Sequence, residues 1–121
     1  ELAASAVLAL ELAPPRTKGY DAIRRGALGD ELIQIKGRAL DPRSSRSQRV
    51  GQIKTDGPCD TVMLVLLDSS TLDAVEIWEA PFLAVVARLR EPGSTSRNVR
   101  GALAVSDFKR LGTKVWQPAE T

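Results

Sequence analysis

The run Gly19-Tyr20-Asp21-Ala22-Ile23-Arg24-Arg25-Gly26-Ala27-Leu28-Gly29-Asp30-Glu31-Leu32-Ile33-Gln34-Ile35-Lys36-Gly37-Arg38 decides the fold. It reads as two strands, near 20–24 and 31–39, on either side of a turn bounded by Gly26 and Gly29. Side chains at i and i+2 of a strand share a face, so Gln34 and Lys36 point one way and Glu31 the other. A hairpin with its midpoint between Ala27 and Leu28 sets Asp21 opposite Gln34. An acid, an amide carbonyl and an ammonium then converge on one patch. Oxygen ligands suit Mg²⁺, and a neighbouring lysine suits a phosphate oxygen or an attacking water. A slip of one residue in register would send Asp21 to the other face and remove the site.

Outward from this hairpin, the chain alternates between the two periodicities. Residues 1–13 are rich in Ala and Leu and end at Pro14-Pro15, which predicts a first helix packed against a sheet. Asp41 to Arg49 is a Ser/Arg-rich stretch that reads as an exposed loop. Thr61 to Leu67 is a continuous apolar run, the mark of a central strand covered on both faces. Residues 74–79 alternate as a further strand. Pro81 then opens a second helix, whose core face is Phe82, Val85, Val86 and Leu89. Glu91-Pro92-Gly93 stops it, and 94–100 reads as a polar loop. Residues 102–105 suggest a short strand, Ser106 a cap for a brief helix through Leu111, and Val115-Trp116 a last strand or docking tail. The order predicts one α/β domain over 1–121, its central sheet mixed, mostly antiparallel and flanked by helices.

Composition narrows the chemistry. At 121 residues, with 43% hydrophobic side chains, the chain can bury a modest core. It has no histidine, which excludes Ser-His-Asp and Cys-His hydrolases, His-metal nucleases and HExxH proteases. A single cysteine, Cys59, excludes an intramolecular disulfide and a multi-cysteine zinc site and reads as a packing thiol. No apolar run reaches the length of a membrane span, and the opening residues lack the basic start of a signal peptide, so the expected location is the cytoplasm.

An Asp at the first strand of the hairpin and Gln-x-Lys on the second, within this order of elements, resemble the PD-(D/E)xK nuclease superfamily and its restriction-endonuclease-like core. The Gln in place of an acid is similar to the Mrr-like branch. The resemblance implies metal binding by Asp21, support of the metal site by Gln34, and the catalytic lysine role for Lys36, so that Asp21, Gln34 and Lys36 form the catalytic set. Members often add a Glu from the first helix; Glu1 is the best placed as a metal ligand here, with Glu11 in reserve. The implied cofactor is Mg²⁺ or Mn²⁺, and the implied substrate is DNA in a restriction, repair or mobile-element setting. Two residues depart from the pattern: Tyr20 stands where a Pro is usual, and Gln34 gives an uncharged oxygen, which lowers the affinity for metal.

The charge pattern offers a path for a substrate. Between Lys36 and Lys54 there are six cations, including Arg38, Arg43, Arg46 and Arg49, against one acid, Asp41. Arginine pairs bidentately with phosphate, and arginines in a loop can follow a nucleic-acid backbone; the plainer reading is a solvated loop. Aromatic residues are only 4% of the chain, which argues against a stacking platform for single strands and leaves Trp78 and Trp116 as packing residues. A domain this small would cut one strand per site, so duplex cleavage would require a homodimer or larger assembly. Two other readings stand beside the nuclease. One is a catalytically silent module of the same fold that binds protein or nucleic acid. The other is an unrelated structural α/β domain, expected if Asp21 and Lys36 lie on opposite faces.

Overall fold

A strand that is apolar at every position must be covered on both sides, and Thr61–Asp68 meets that need: its first six residues are all buried. The computed structural model describes residues 8, 10–40 and 48–119. Their elements are β1 (Glu11–Leu12), β2 (Ala22–Arg24), β3 (Glu31–Leu40), β4 (Thr61–Asp68), β5 (Ala74–Pro81), α1 (Phe82–Arg90), α2 (Thr95–Asn98), α3 (Val105–Leu111) and β6 (Thr113–Trp116). The strands form one six-stranded sheet in the order β1-β2-β3-β4-β5-β6. Every neighbouring pair is antiparallel except β3 and β4, which run parallel. The protein is therefore an α/β domain on a mixed, mostly antiparallel sheet. No helix among the described residues is long and apolar enough to cross a membrane.

The core divides at the sheet. Val62, Leu64 and Leu66 of β4 cluster with Phe82, Val85, Val86 and Leu89 of α1, Phe108 of α3, and Val50 and Ile53 from the segment that leads into β4. Met63 and Val65 cluster on the other face with Ala22, Ile33, Ile35, Ile77 and Leu10. The α1 face is the one predicted from its 3.6-residue period, and Leu83, off that face, stays exposed. Pro81 ends β5 and occupies the N-cap position of α1, and the first helical amide, from Phe82, donates to the Asp60 carbonyl at 2.9 Å.

The hairpin has the expected register: Ala22 faces Ile33, Ile23 faces Leu32 and Arg24 faces Glu31. Its turn closes with the Gly29 N–H on the Gly26 carbonyl, and Gly29 takes φ 130°, a backbone region open to glycine. Glu31 points away from Gln34 and Lys36, as its odd position requires. Together with Arg24, Thr61 and Glu79 it forms a polar row across β2, β3, β4 and β5. The Glu79 hydrogen bond is the largest influence raising the Arg24 pKa, so this guanidinium is a fixed charge.

Four expectations about elements change. Leu8 is helical and the rest of 1–9 lies outside the described residues, but the helix does not reach Ala13: Glu11 and Leu12 are β1. Pairing with Ile23 and Ala22, and the bond from Ala13 N–H to the Asp21 carbonyl (2.8 Å), satisfy backbone groups there and override helix propensity. The polar 94–100 segment contains the short helix α2, capped where the Ser94 side chain accepts from Arg97 N–H. Residues 102–105 contribute only an isolated bridge, Arg49 to Ala104. Helix α3 starts at Val105 with Ala104 at the N-cap, so Ser106 lies inside the helix instead of capping it.

Parallel strands need a crossover, and residues 48–60, its described part, contain no helix or extended strand. This stretch is held at points. Val50 N–H donates to Leu103 O (2.8 Å) and Ile53 N–H to Gly101 O (3.0 Å). Gly57 lies against Gly19, whose φ is +94°: a Cβ on Gly57 would sit 2.8 Å from the Gly19 Cα. Backbone contact this close admits no side chain. Gly57→Ala is therefore expected to lower stability by roughly 1–3 kcal/mol in urea denaturation. Gly51→Ala, with open space around it, should stay within about 0.5 kcal/mol of the parent. Equal losses in the two variants would refute the close-approach account.

Candidate active site

Asp21 stands one residue before β2, and its side chain extends the pairing with β3 beyond the strand's own start. Its amide donates to Ile33 O (2.7 Å), and its carboxylate Oδ2 accepts from the Ile35 N–H at 2.8 Å. One carboxylate oxygen thus stands in for a backbone acceptor. No donor among the described residues reaches the other, Oδ1.

Gln34 and Lys36 follow on β3 with a shared face, set by their pairing with Val62 and Leu64. Arg38, paired with Leu66, continues that row and is exposed. Thr17, Gly19, Tyr20, Asp21, Gln34, Ile35, Lys36 and Lys54 line a single cleft of about 160 Å³. The structure therefore brings Asp21, Gln34 and Lys36 to one concavity, and Asp21 and Lys36 do not lie on opposite faces of the sheet.

Gln34 is only 2% exposed, and its amide makes three hydrogen bonds. Nε2 donates to Lys54 O at 3.0 Å and to Gly19 O at 3.3 Å, while Oε1 accepts from Lys54 N–H at 2.9 Å. A buried amide needs such partners, since each lost one leaves a desolvated polar group. Here all three partners are backbone atoms of the two segments that wall the cleft. Lys54 was not among the residues singled out from the sequence. It lies in an irregular stretch with no periodicity, and its only signal was its place at the end of a basic run.

The remaining predicted residues separate. Glu1, Arg43 and Arg46 lie outside the described residues. Glu11, the reserve ligand, is on β1 instead of a helix, and its carboxylate accepts from Arg25 Nε at 2.7 Å. Arg49 is half-buried and donates from Nη1 to Ala102 O at 2.8 Å, which ties the crossover to the segment before α3. Cys59 packs on the α1-side core, and burial pushes its thiol pKa up, the opposite of a reactive thiolate. Trp78 and Trp116 pack on the two cores, and the Lys109 ammonium sits 5.2 Å from the Trp78 ring centre.

The donor set bears on a metal as follows. Among the described residues no group of three or more His, Cys, Asp or Glu side chains could hold an ion, and Asp21 is the one carboxylate lining the cleft. Mg²⁺ is commonly held by one or two carboxylates together with substrate phosphate and waters. Asp21 Oδ1 fits that mode, with the remaining positions left to water and phosphate. Comparison with known proteins finds no matching family model and no matching curated protein.

The dual role of Asp21 separates its charge from its fold. Asp21→Ala leaves the Ile35 N–H without its acceptor and is expected to cost about 1–3 kcal/mol of stability. Asp21→Asn keeps a carbonyl oxygen there and should cost less than half as much. Urea denaturation of the two variants checks the ranking, and equal losses would show that the Ile35 bond contributes nothing.

Proposed function

We propose that this chain is a metal-dependent nuclease-like domain of the PD-(D/E)xK type, with a restriction-endonuclease-like core, that hydrolyses DNA phosphodiester bonds. The observation that carries the reading is the meeting of the Asp21 carboxylate and Lys36 in one cleft at the β2–β3 edge. The order of strands and helices, with a hairpin leading into a parallel neighbour, is in keeping with such a core.

In this reading Asp21 is the metal ligand. Glu1 is the further acidic ligand expected from the first helix, and Gln34 contributes through the walls that it joins. A bound Mg²⁺ or Mn²⁺ would supply Lewis-acid polarisation of the phosphate and a more acidic water. Lys36 binds a non-bridging phosphate oxygen and stabilises the charge that develops on it. Arg38, exposed on the same face of β3, extends the contact along the nucleic-acid backbone, and the other arginines read from the sequence as contacts, Arg43 and Arg46, lie outside the described residues. Two copies would cut the two strands of a duplex.

A silent module of the same fold is the second reading, and Gln34 favours it. Its Oε1 already accepts from Lys54 N–H, which leaves one lone pair for a cation, and a neutral amide adds no charge. Supercoiled-plasmid nicking in Mg²⁺ or Mn²⁺, with calorimetric titration of Mn²⁺, separates the two. Asp21→Asn should abolish the metal-dependent heat, and both it and Lys36→Ala should reduce nicking by at least about 10²-fold. Parent protein that shows neither heat nor nicking overturns the nuclease in favour of the silent module.

A further inference from the structure

We propose that Lys54 is a second phosphate-binding cation of the cleft, and that Gln34 is the positioning residue that holds it there. The proposal rests on the reading of the cleft as a site for nucleic-acid phosphate. Among the described residues two lysines and one aspartate line it, and the exposed ammonium of Lys54 is suited to an anion.

The Lys54 backbone is fixed in an otherwise irregular segment. The Gln34 amide takes both its N–H and its C=O, at 2.9 and 3.0 Å, as a neighbouring strand would. One residue earlier, Ile53 is 3% exposed and its amide is bonded to Gly101 O. The Lys54 residue itself is exposed, and its ammonium has no ion pair among the described residues. Lys18 and Lys109, by contrast, are matched with Asp56 (3.5 Å) and Glu76 (3.2 Å). An anchored backbone carrying an unmatched cation at the rim of a cleft is suited to a phosphate. Anchoring reduces the ordering cost of the contact, and the ammonium needs no carboxylate displaced before it binds.

This assignment inverts the expected effect of Gln34→Glu. If position 34 is a metal ligand, the substitution adds a charge and tightens the ion. If it is a positioning residue, the substitution removes both donors and turns carboxylate oxygens on Lys54 O and Gly19 O, releasing the crossover.

The test is fluorescence anisotropy of a short labelled DNA duplex in Ca²⁺ over a series of salt concentrations. It uses the parent and the variants Lys36→Ala, Lys54→Ala, Lys54→Arg, Gln34→Ala and Gln34→Ala/Lys54→Ala. Lys54→Ala should lower the log–log salt slope by about 0.9, the loss of one phosphate contact, and Lys54→Arg should restore it. Gln34→Ala should lower the slope as much, with no further drop in the double variant. A role in stability alone would lower the melting temperature of Gln34→Ala and leave its slope at the parent value. If Gln34→Ala does not fold, Gln34→Glu is read in the same way, and the exposed Lys54 variants stand independently. An unchanged slope in Lys54→Ala beside a reduced one in Lys36→Ala overturns the Lys54 assignment and leaves the cleft reading intact. Additive losses at 34 and 54, or tighter Mn²⁺ binding by Gln34→Glu in calorimetry, overturn the positioning role. Absence of salt-dependent binding by the parent overturns the cleft reading and this inference with it.

Discussion

The parallel pairing of β3 with β4 is the constraint from which the site follows. The chain must travel back along the sheet between Leu40 and Thr61, and the described part of that route, residues 48–60, has no regular structure to satisfy its own backbone. Gln34 supplies what a helix or strand would have supplied. One buried amide serves the N–H and C=O of Lys54 and reaches across to Gly19 O, so sheet, crossover and the approach to β2 meet in three hydrogen bonds. Each is worth only about 1 kcal/mol net, but leaving those groups buried and unmatched costs more. The Gly19–Gly57 contact acts on the same two segments. The walls are therefore held by backbone, and their side chains are spared for other work.

Several charges outside the cleft are matched with one another. Arg24 lies between Glu31 and Glu79, Arg25 between Glu11 and Asp30, and Arg88 between Glu91 and Asp107. The nearest carboxylates raise the pKa of each of these arginines, through side-chain hydrogen bonds first. Exposed pairs such as those of Arg25 add little to stability. Their consequence is for the field: positive charge that is paired cannot attract a ligand. Among the described residues Lys54, which lines the cleft, and Arg38, on the same face of β3 as Lys36, have no such carboxylate, and the same holds for Arg16, Arg49, Arg90, Arg97, Arg100 and Lys114 elsewhere.

The sequence was most legible where a period was strict. β4 follows from its unbroken apolar run, the α1 core face from i, i+3, i+4 and i+7, and the hairpin register from the glycines that bound its turn. The register alone was enough to bring Asp21, Gln34 and Lys36 together. Reading failed where tertiary partners override local preference. Glu11 and Leu12 sit in an Ala/Leu-rich stretch yet pair as strand, because β2 offers them backbone partners. Residues 102–105 have strand composition but no neighbouring strand beyond the single bridge to Arg49. Lys54 and Arg49 were beyond reach for another reason: their roles depend on which carbonyl or amide lies opposite a loop residue, and no periodicity encodes that.

Gln34 shows how one position can satisfy fold and site at once, and why its chemistry matters. A carboxylate there accepts hydrogen bonds but donates none, so it could not serve the Lys54 and Gly19 carbonyls that now receive Nε2. In a fold whose crossover is anchored at this point, an acid would have to be matched by other donors to those carbonyls. The amide avoids that requirement and removes a negative charge from the cleft, leaving Asp21 as its one lining carboxylate among the described residues. In the proposed reading the balance of binding then moves toward the substrate: less of the affinity comes from a preformed cation cage, and more from lysines that meet phosphate. The cation and the nucleic acid would accordingly bind with positive coupling, each completing the other's site.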